Sequence, residues 1–359
     1  MGFLDLQVTC GVKIENCIWG SARWFNGLIK IKLDSMKAEY VCDFPNEDIG
    51  AMSLHSKAIT KNEKIFFLPG KSRYVHIVDI KTLEIQVIGL EIFNYEKEYY
   101  AKEDKKTVYL IPKMVGGDIL KLNLETLKMD VLIEWKRIED RININNDFVF
   151  LRVAKYNNKL ILPIHNSSEI IIIDVNNQVI SVKNATKSKW LGAIDSKNGA
   201  WLLSNESPNI YHWNIEEDSI KEYKHYSIKE LDNKKPTFTY GIEMEDKVYF
   251  IPSYSYSEIG CIKNNNFEAI YLYEKYKSKI LFAEPFCDEN IIWILPMDSD
   301  KLISIKDGVI QEYLTKKVNI EEKRRQEILK SITKSTYQSI HIENDILTLE
   351  EFLEGLVLF

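Results

Sequence analysis

The chain has 359 residues, of which 45% are hydrophobic and 28% charged, with a formal net charge of -6. That balance belongs to a globular protein with a sizeable core and excludes intrinsic disorder. It also argues against nucleic-acid binding, which needs concentrated Lys and Arg, because the nearest basic runs are Lys234-Lys235 and Lys323-Arg324-Arg325.

At the amino terminus, Met1-Gly2-Phe3-Leu4-Asp5-Leu6 has no basic region, long apolar run or small-residue cleavage site. A cytoplasmic protein is expected. No apolar stretch approaches bilayer length, so no membrane association is expected either. Four short strands are predicted at 6–12, 16–20, 28–33 and 38–43.

The clearest unit follows. Residues 56–60 read as a strand, and Lys64-Ile65-Phe66-Phe67-Leu68-Pro69 as a second, fully apolar one. Residues 74–79 and 83–88 supply the third and fourth, with polar turns between. The apolar second strand then recurs as Val108-Tyr109-Leu110-Ile111-Pro112, Leu160-Ile161-Leu162-Pro163, Val248-Tyr249-Phe250-Ile251-Pro252 and Ile292-Trp293-Ile294-Leu295-Pro296. A degenerate copy, Ala200-Trp201-Leu202-Leu203-Ser204, fills the remaining gap. Copies of a β-rich unit about 45 residues apart are the signature of a propeller array. With the amino-terminal strands the count is seven blades, at 1–48, 49–92, 93–139, 140–184, 185–227, 228–274 and 275–315. Third strands lead into Asn123, Asp174, Asn214, Asn264 and Asp307, side chains suited to tight turns.

Aligned on the closing residue of the second strand, Ala58, Ala101, Ala193 and Gly241 share one column of the first strand. Small residues are expected there because backbones crowd where strands converge on an axis. Arg152 and Pro285 fall in the same column as exceptions.

After residue 315 the pattern changes. Asn319-Ile320-Glu321-Glu322 reads as a capping box before a helix at 323–332, and 337–342 as a further strand. Thr348-Leu349-Glu350-Glu351 reads as a second capping box before a helix at 352–358. This helical tail, 316–359, is expected to pack on the propeller, 1–315, and cover an apolar surface or blade edge.

The stretch Tyr74-Val75-His76-Ile77-Val78-Asp79-Ile80-Lys81-Thr82-Leu83 resembles the strand-Asp-x-x-Thr hairpin of YVTN-like repeats, and 169–175 echoes it. Over residues 1–315 the chain is similar to bacterial β-propellers of the kelch-like or YVTN-like kind. The paired glycines of a kelch strand and the Trp-Asp pair of WD blades are missing, so the resemblance carries over no catalytic residues. It implies an all-β, seven-bladed fold with a ligand or partner site at one mouth of the channel.

In such a fold the loops between second and third strands share a face with the inter-blade segments. Those segments hold Arg23, Trp24, Arg73, Tyr100, His165, Trp190, Tyr240 and Tyr254. Aromatic faces beside guanidinium and amide groups suit a glycan, a peptide or a protein partner. Arg152 is the candidate clamp for a carboxylate or phosphate, with pairing to Glu284 as the purely structural reading. The five cysteines lack metal-finger or redox spacing. The six histidines lack ligand spacing, although His55 and His165 both fall near the expected mouth. No metal or other cofactor is expected. A noncatalytic recognition scaffold is the preferred reading. The alternative is a lyase- or hydrolase-type enzyme at the same mouth, with Arg152 as anion clamp and His165, Tyr240 or Tyr254 as acid or base.

Overall fold

The computed structural model describes residues 2–90, 98–142, 149–185, 188–224, 238–252, 258–271, 282–297, 301–314 and 317–338. Seven antiparallel meanders follow one another along it, the blades of a seven-bladed β-propeller. Their strands are Val8–Ile14, Cys17–Ala22, Leu28–Lys32 and Lys37–Cys42 in the first blade, and His55–Lys61, Lys64–Pro69, Tyr74–Asp79 and Ile85–Gly89 in the second. The third comprises Tyr99–Asp104, Thr107–Pro112, Ile119–Asn123 and Met129–Ile133, and the fourth Ala154–Tyr156, Lys159–Pro163, Glu169–Asp174 and Val179–Asn184. Trp190–Ser196, Gly199–Ser204, Ile210–Asn214 and Ser219–Tyr223 make the fifth. Phe238–Met244, Lys247–Pro252, Glu258–Lys263 and Asn266–Tyr271 make the sixth. The seventh takes Phe286–Asp288, Ile291–Ile294, Lys301–Lys306 and Val309–Leu314. Two compact units divide the chain, residues 1–89 with 291–359 and residues 90–290.

The apolar second strands are buried on both faces because sheet packs on sheet. In the unit 90–290, Tyr109, Ile111 and Ile119 of the third blade meet Leu160, Leu162 and Ile171 of the fourth. Leu191, Trp201 and Leu203 of the fifth meet Phe238, Val248 and Phe250 of the sixth. Four of the seven second strands stop at Pro69, Pro112, Pro163 and Pro252, where the missing N–H ends the ladder. The turns after the third strands behave as their residues require. Oδ1 of Asp79, Asn123, Asp174 and Asn214 each accepts two backbone N–H groups from the residues that follow. Asn264-Asn265 and Asp307-Gly308 turn instead with positive φ at both positions.

Strand pairing corrects one alignment made on the sequence. Ala58, Ala101, Ala193 and Gly241 lie opposite Phe67, Leu110, Leu202 and Phe250. In the fourth blade the residue at that level is Ala154, opposite Ile161. Its hairpin is shorter, so Arg152 is not a bulky exception in the small column; it precedes the strand. Gly11, opposite Gly20, holds the same level in the first blade. A Cβ there would stand 2.8 Å from Leu295 Cδ1 and from Trp19 O, so the level tolerates almost no added atom.

The segment after residue 316 departs from expectation in three ways. Lys317–Ile320 is a strand, antiparallel to Gly2–Asp5 and parallel to Lys37–Cys42, which widens the first sheet to six strands. Asn319 is thus a ladder residue and not a helix cap, and Arg325 N–H donates to Glu321 O at the start of helix Glu322–Gln338. Tyr337 and Gln338, expected in a strand, belong to that helix. Ile328, Leu329 and Ile332 are buried along one side, and Arg324 bridges Asp43 and Glu327. The second capping box and the helix at 352–358 lie outside the described residues. A short helix, Trp135–Glu139, was not foreseen.

One buried polar chain fixes its own proton positions. His76 Nε2 lies 2.9 Å from Pro45 O, a carbonyl that only accepts, so Nε2 carries the hydrogen. His76 Nδ1 therefore accepts from His55 Nε2–H at 2.9 Å, and His55 Nδ1 accepts from Ser21 Oγ–H at 2.8 Å. Phe44 and Phe67 wall in the His55 ring. Burial holds His55 well below the ordinary histidine range, and holds His76 at about 4 against 6.5. A histidine kept neutral when folded but free to take a proton when unfolded makes stability rise with pH. That contribution is complete above about pH 6.5 and is lost as pH falls toward 4. For His76 it is on the order of 3 kcal/mol. Urea unfolding at pH 7 and pH 4.5 should show this loss, and the double variant His55→Leu/His76→Leu should flatten the dependence across that window. An unchanged slope in the variant would assign the acid sensitivity to other groups.

Candidate functional site

The loops that close the second strands do gather with the inter-blade segments. In the unit 90–290, Lys113 N–H donates to Glu98 O, Phe150 N–H to Lys113 O and His165 N–H to Val149 O. Asn166 N–H donates to Trp190 O, and Asn205 N–H to Lys189 O. In the other unit Gly70 and Ser72 donate to Leu54 O, and Ser53 to Arg23 O. The loops of the first, third and fourth blades are thus tied to the entry of the following blade, and those of the second and fifth to the entry of their own.

Arg152 is the centre of the first of these networks. Its backbone lies against Gly192, where an added Cβ would come within 2.5 Å of Arg152 Cβ and 3.0 Å of its N and O. Glycine at 192 therefore lets the segment approach, and Ala193 N–H donates to Arg152 O at 3.2 Å. The guanidinium then reaches two other blades. Nε–H donates to Thr239 O at 3.2 Å, in the sixth blade, and Nη1 donates to Tyr100 Oη at 2.7 Å, in the third. Nη1 also donates to Leu151 O. The Tyr240 ring lies 3.9 Å from Cζ and the Tyr100 ring 5.5 Å. Lys113 Nζ, paired with Glu98 at 3.0 Å, sits 4.7 Å from the Tyr100 ring. Tyr100 and Tyr240 precede Ala101 and Gly241, so the arginine occupies the level next to the small column.

Electrostatics at this position pull both ways. Burial opposes the charge of Arg152, but Tyr100, Tyr240 and Glu284 favour it more, so its pKa is raised. Glu284 acts at range: among the described residues Arg152 has no carboxylate within ion-pair distance. The purely structural pairing considered on the sequence is therefore not formed.

The remaining sequence candidates fall elsewhere. Trp190 is fully buried and its indole N–H donates to Ser168 O at 3.1 Å. It edges onto Tyr211 and offers no free face, because the entry strand of the fifth blade turns it into the core. His165 is half-buried, with Nδ1 unpartnered and its pKa lowered by burial. Its side chain makes no hydrogen bond to Arg152 or to either tyrosine. In the other unit Arg23 lies 4.1 Å from the Trp24 ring and donates to Met297 O at 2.6 Å, while the Trp24 indole N–H donates to Gln7. Arg73 is exposed, its N–H donating to Glu47 Oε1 at 3.2 Å. His55, weighed as half of a pair with His165, is instead sequestered with His76. Tyr254 lies outside the described residues. No cluster of three His, Cys, Asp or Glu side chains suited to a metal occurs among the described residues, and no helix there is long and apolar enough to cross a membrane. Sequence reading missed Thr239 and Gly192; the glycine before Ala193 was its only available signal.

No protein-family model matches the chain, and no curated protein matches it in sequence. Solved structures do match. YCF48 bound to D1 peptide aligns with a TM-score of 0.58 and 10% identity, over 88% of this chain and 95% of that one. The extracellular domain of the putative hybrid two component system BT3049 from B. thetaiotaomicron aligns with a TM-score of 0.55 and 12% identity, over 89% of this chain and 47% of that one. KlHsv2 with loop 6CD replaced by a Gly-Ser linker gives 0.51 and 9%, over 87% and 98%. The shared property is the propeller fold.

The role of Gly192 is open to direct test. Gly192→Ala should lower unfolding free energy by about 1–3 kcal/mol, because backbone atoms and a Cβ cannot yield as a side-chain tip can. Gly89→Ala, whose new Cβ would find nothing nearer than 3.8 Å, is the control and should stay within about 0.5 kcal/mol. Equal effects in urea titrations of the two variants would refute the close approach.

Proposed function

We propose that this chain is a noncatalytic recognition scaffold that holds a peptide segment of a protein partner at the entry end of its blades, around Arg152, Tyr100 and Tyr240. The observation that carries this reading is a guanidinium drawn in among three blades by two tyrosine rings and a carbonyl. Such a group is rigid, partly desolvated and rich in donors, which suits amide and carboxyl acceptors. A structurally similar propeller, YCF48, is known bound to a peptide, which supports a peptide or protein partner in general terms.

A glycan fits less well. Sugar recognition uses an open aromatic shelf, and here Trp190 is buried while Arg152 stacks against Tyr240. Phage display of random peptides on the purified chain, followed by titration of the enriched sequences, tests the proposal. Micromolar binding is expected, weakened at least tenfold by Tyr240→Ala while thermal stability is largely kept. Failure to enrich any peptide, or binding indifferent to Tyr240→Ala, would overturn it.

A further inference from the structure

The peptide reading, on which this inference rests, leaves open what the arginine takes hold of. We infer that Arg152 and Tyr100 form a carboxylate-binding site, and that the peptide recognised carries an acidic side chain.

Arg152 has five N–H donors. Nε–H goes to Thr239 O, and the two hydrogens of Nη1 go to Tyr100 Oη and Leu151 O. Both hydrogens of Nη2 have no acceptor among the described residues. Tyr100 Oη accepts from Nη1 and so keeps its own O–H to donate. Two kinds of donor, one charged and one neutral, are thus left side by side.

Charge leads to the same place. Arg152 has no ion-pair partner among the described residues, and Lys113, the other cation against the Tyr100 ring, already has Glu98. Glu284 favours the Arg152 charge only from beyond ion-pair distance, so the guanidinium, held by three blades, is left without a close counter-ion among the described residues. A bound carboxylate would supply one.

The donor count selects among anions. One guanidinium nitrogen and one hydroxyl match the two oxygens and single charge of a carboxylate. A phosphate dianion would ask for more donors and a second cation, and Lys113 is engaged elsewhere. The Tyr240 ring closes one face of the guanidinium, so the ligand approaches in the guanidinium plane.

The test uses the full chain and two fluorescein-labelled decapeptides with amidated carboxyl termini, (Gly-Glu)5 and (Gly-Gln)5, read by anisotropy. Sodium glutarate and inorganic phosphate are assayed alongside by thermal shift. Wild type should bind the Glu peptide at least tenfold more tightly than the Gln peptide, with the preference abolished in Arg152→Gln and reduced several-fold in Tyr100→Phe. Tyr100→Phe keeps the guanidinium, so the site can be judged even if Arg152→Gln folds poorly. Glutarate should raise the melting temperature of wild type more than phosphate does, and should not do so in Arg152→Gln.

The two proposals fail differently. Equal binding of Glu and Gln peptides overturns the carboxylate site but leaves a peptide scaffold standing. A glutarate shift that depends on Arg152, without peptide binding, supports the carboxylate site and sinks the scaffold. An equal or larger response to phosphate overturns the choice of carboxylate.

Discussion

The innermost level of the blades is the constraint on which the rest depends. Gly11, Ala58, Ala101, Ala154, Ala193 and Gly241 stand at the same pairing level, two residues before the end of the adjoining strand. Where first strands pack flank to flank, a side chain larger than methyl meets backbone or a buried side chain. At Gly241 an added Cβ would lie 2.6 Å from Ile194 Cδ1 and 3.0 Å from Tyr249 O. Closeness at that level lets the second strands outside it bury both faces, and the apolar repeats follow from this.

Polar chemistry is displaced to either side of that tight level. On one side, within residues 90–290, Arg152 binds across three blades. Toward the hairpin ends of the same strands, Lys102 pairs with Asp195 at 3.0 Å and Lys155 with Asp104 at 3.1 Å. These lysines are nearly buried while their carboxylates are half-exposed, and Lys155 N–H also donates to Asp195 at 2.7 Å. The charges at that end are matched and serve to hold first strands in register. At the other end Lys113 is matched by Glu98, whereas Arg152 has no carboxylate within ion-pair distance among the described residues.

Most of the architecture was legible because it depends on short-range patterns. Runs such as Lys64–Pro69 report burial on both faces, and Asn123, Asp174 and Asn214 mark turns by their own side-chain bonds. What stayed hidden depends on register or on distant pairing. The shortened hairpin at Tyr156–Lys159 moved Ala154 into the small column and Arg152 out of it; no local signal in the sequence reports a strand length. Trp190 was indistinguishable from a surface aromatic, since its burial depends on the bridge between its own strand and His165. Lys317–Ile320 was hidden behind the capping-box reading of Asn319, because its pairing partners, Gly2–Asp5 and Lys37–Cys42, are remote in sequence.

That last strand has a consequence for the order in which the protein forms. Gly2–Asp5 pairs with Lys317–Ile320, which is made only after all seven blades. During synthesis the outer edge of the first sheet, Lys37–Cys42, therefore stands unpaired while blade after blade emerges. Closing so long a loop is slow. That edge stays open until residues 317–320 have emerged, and it is where misassembly or chaperone capture would begin.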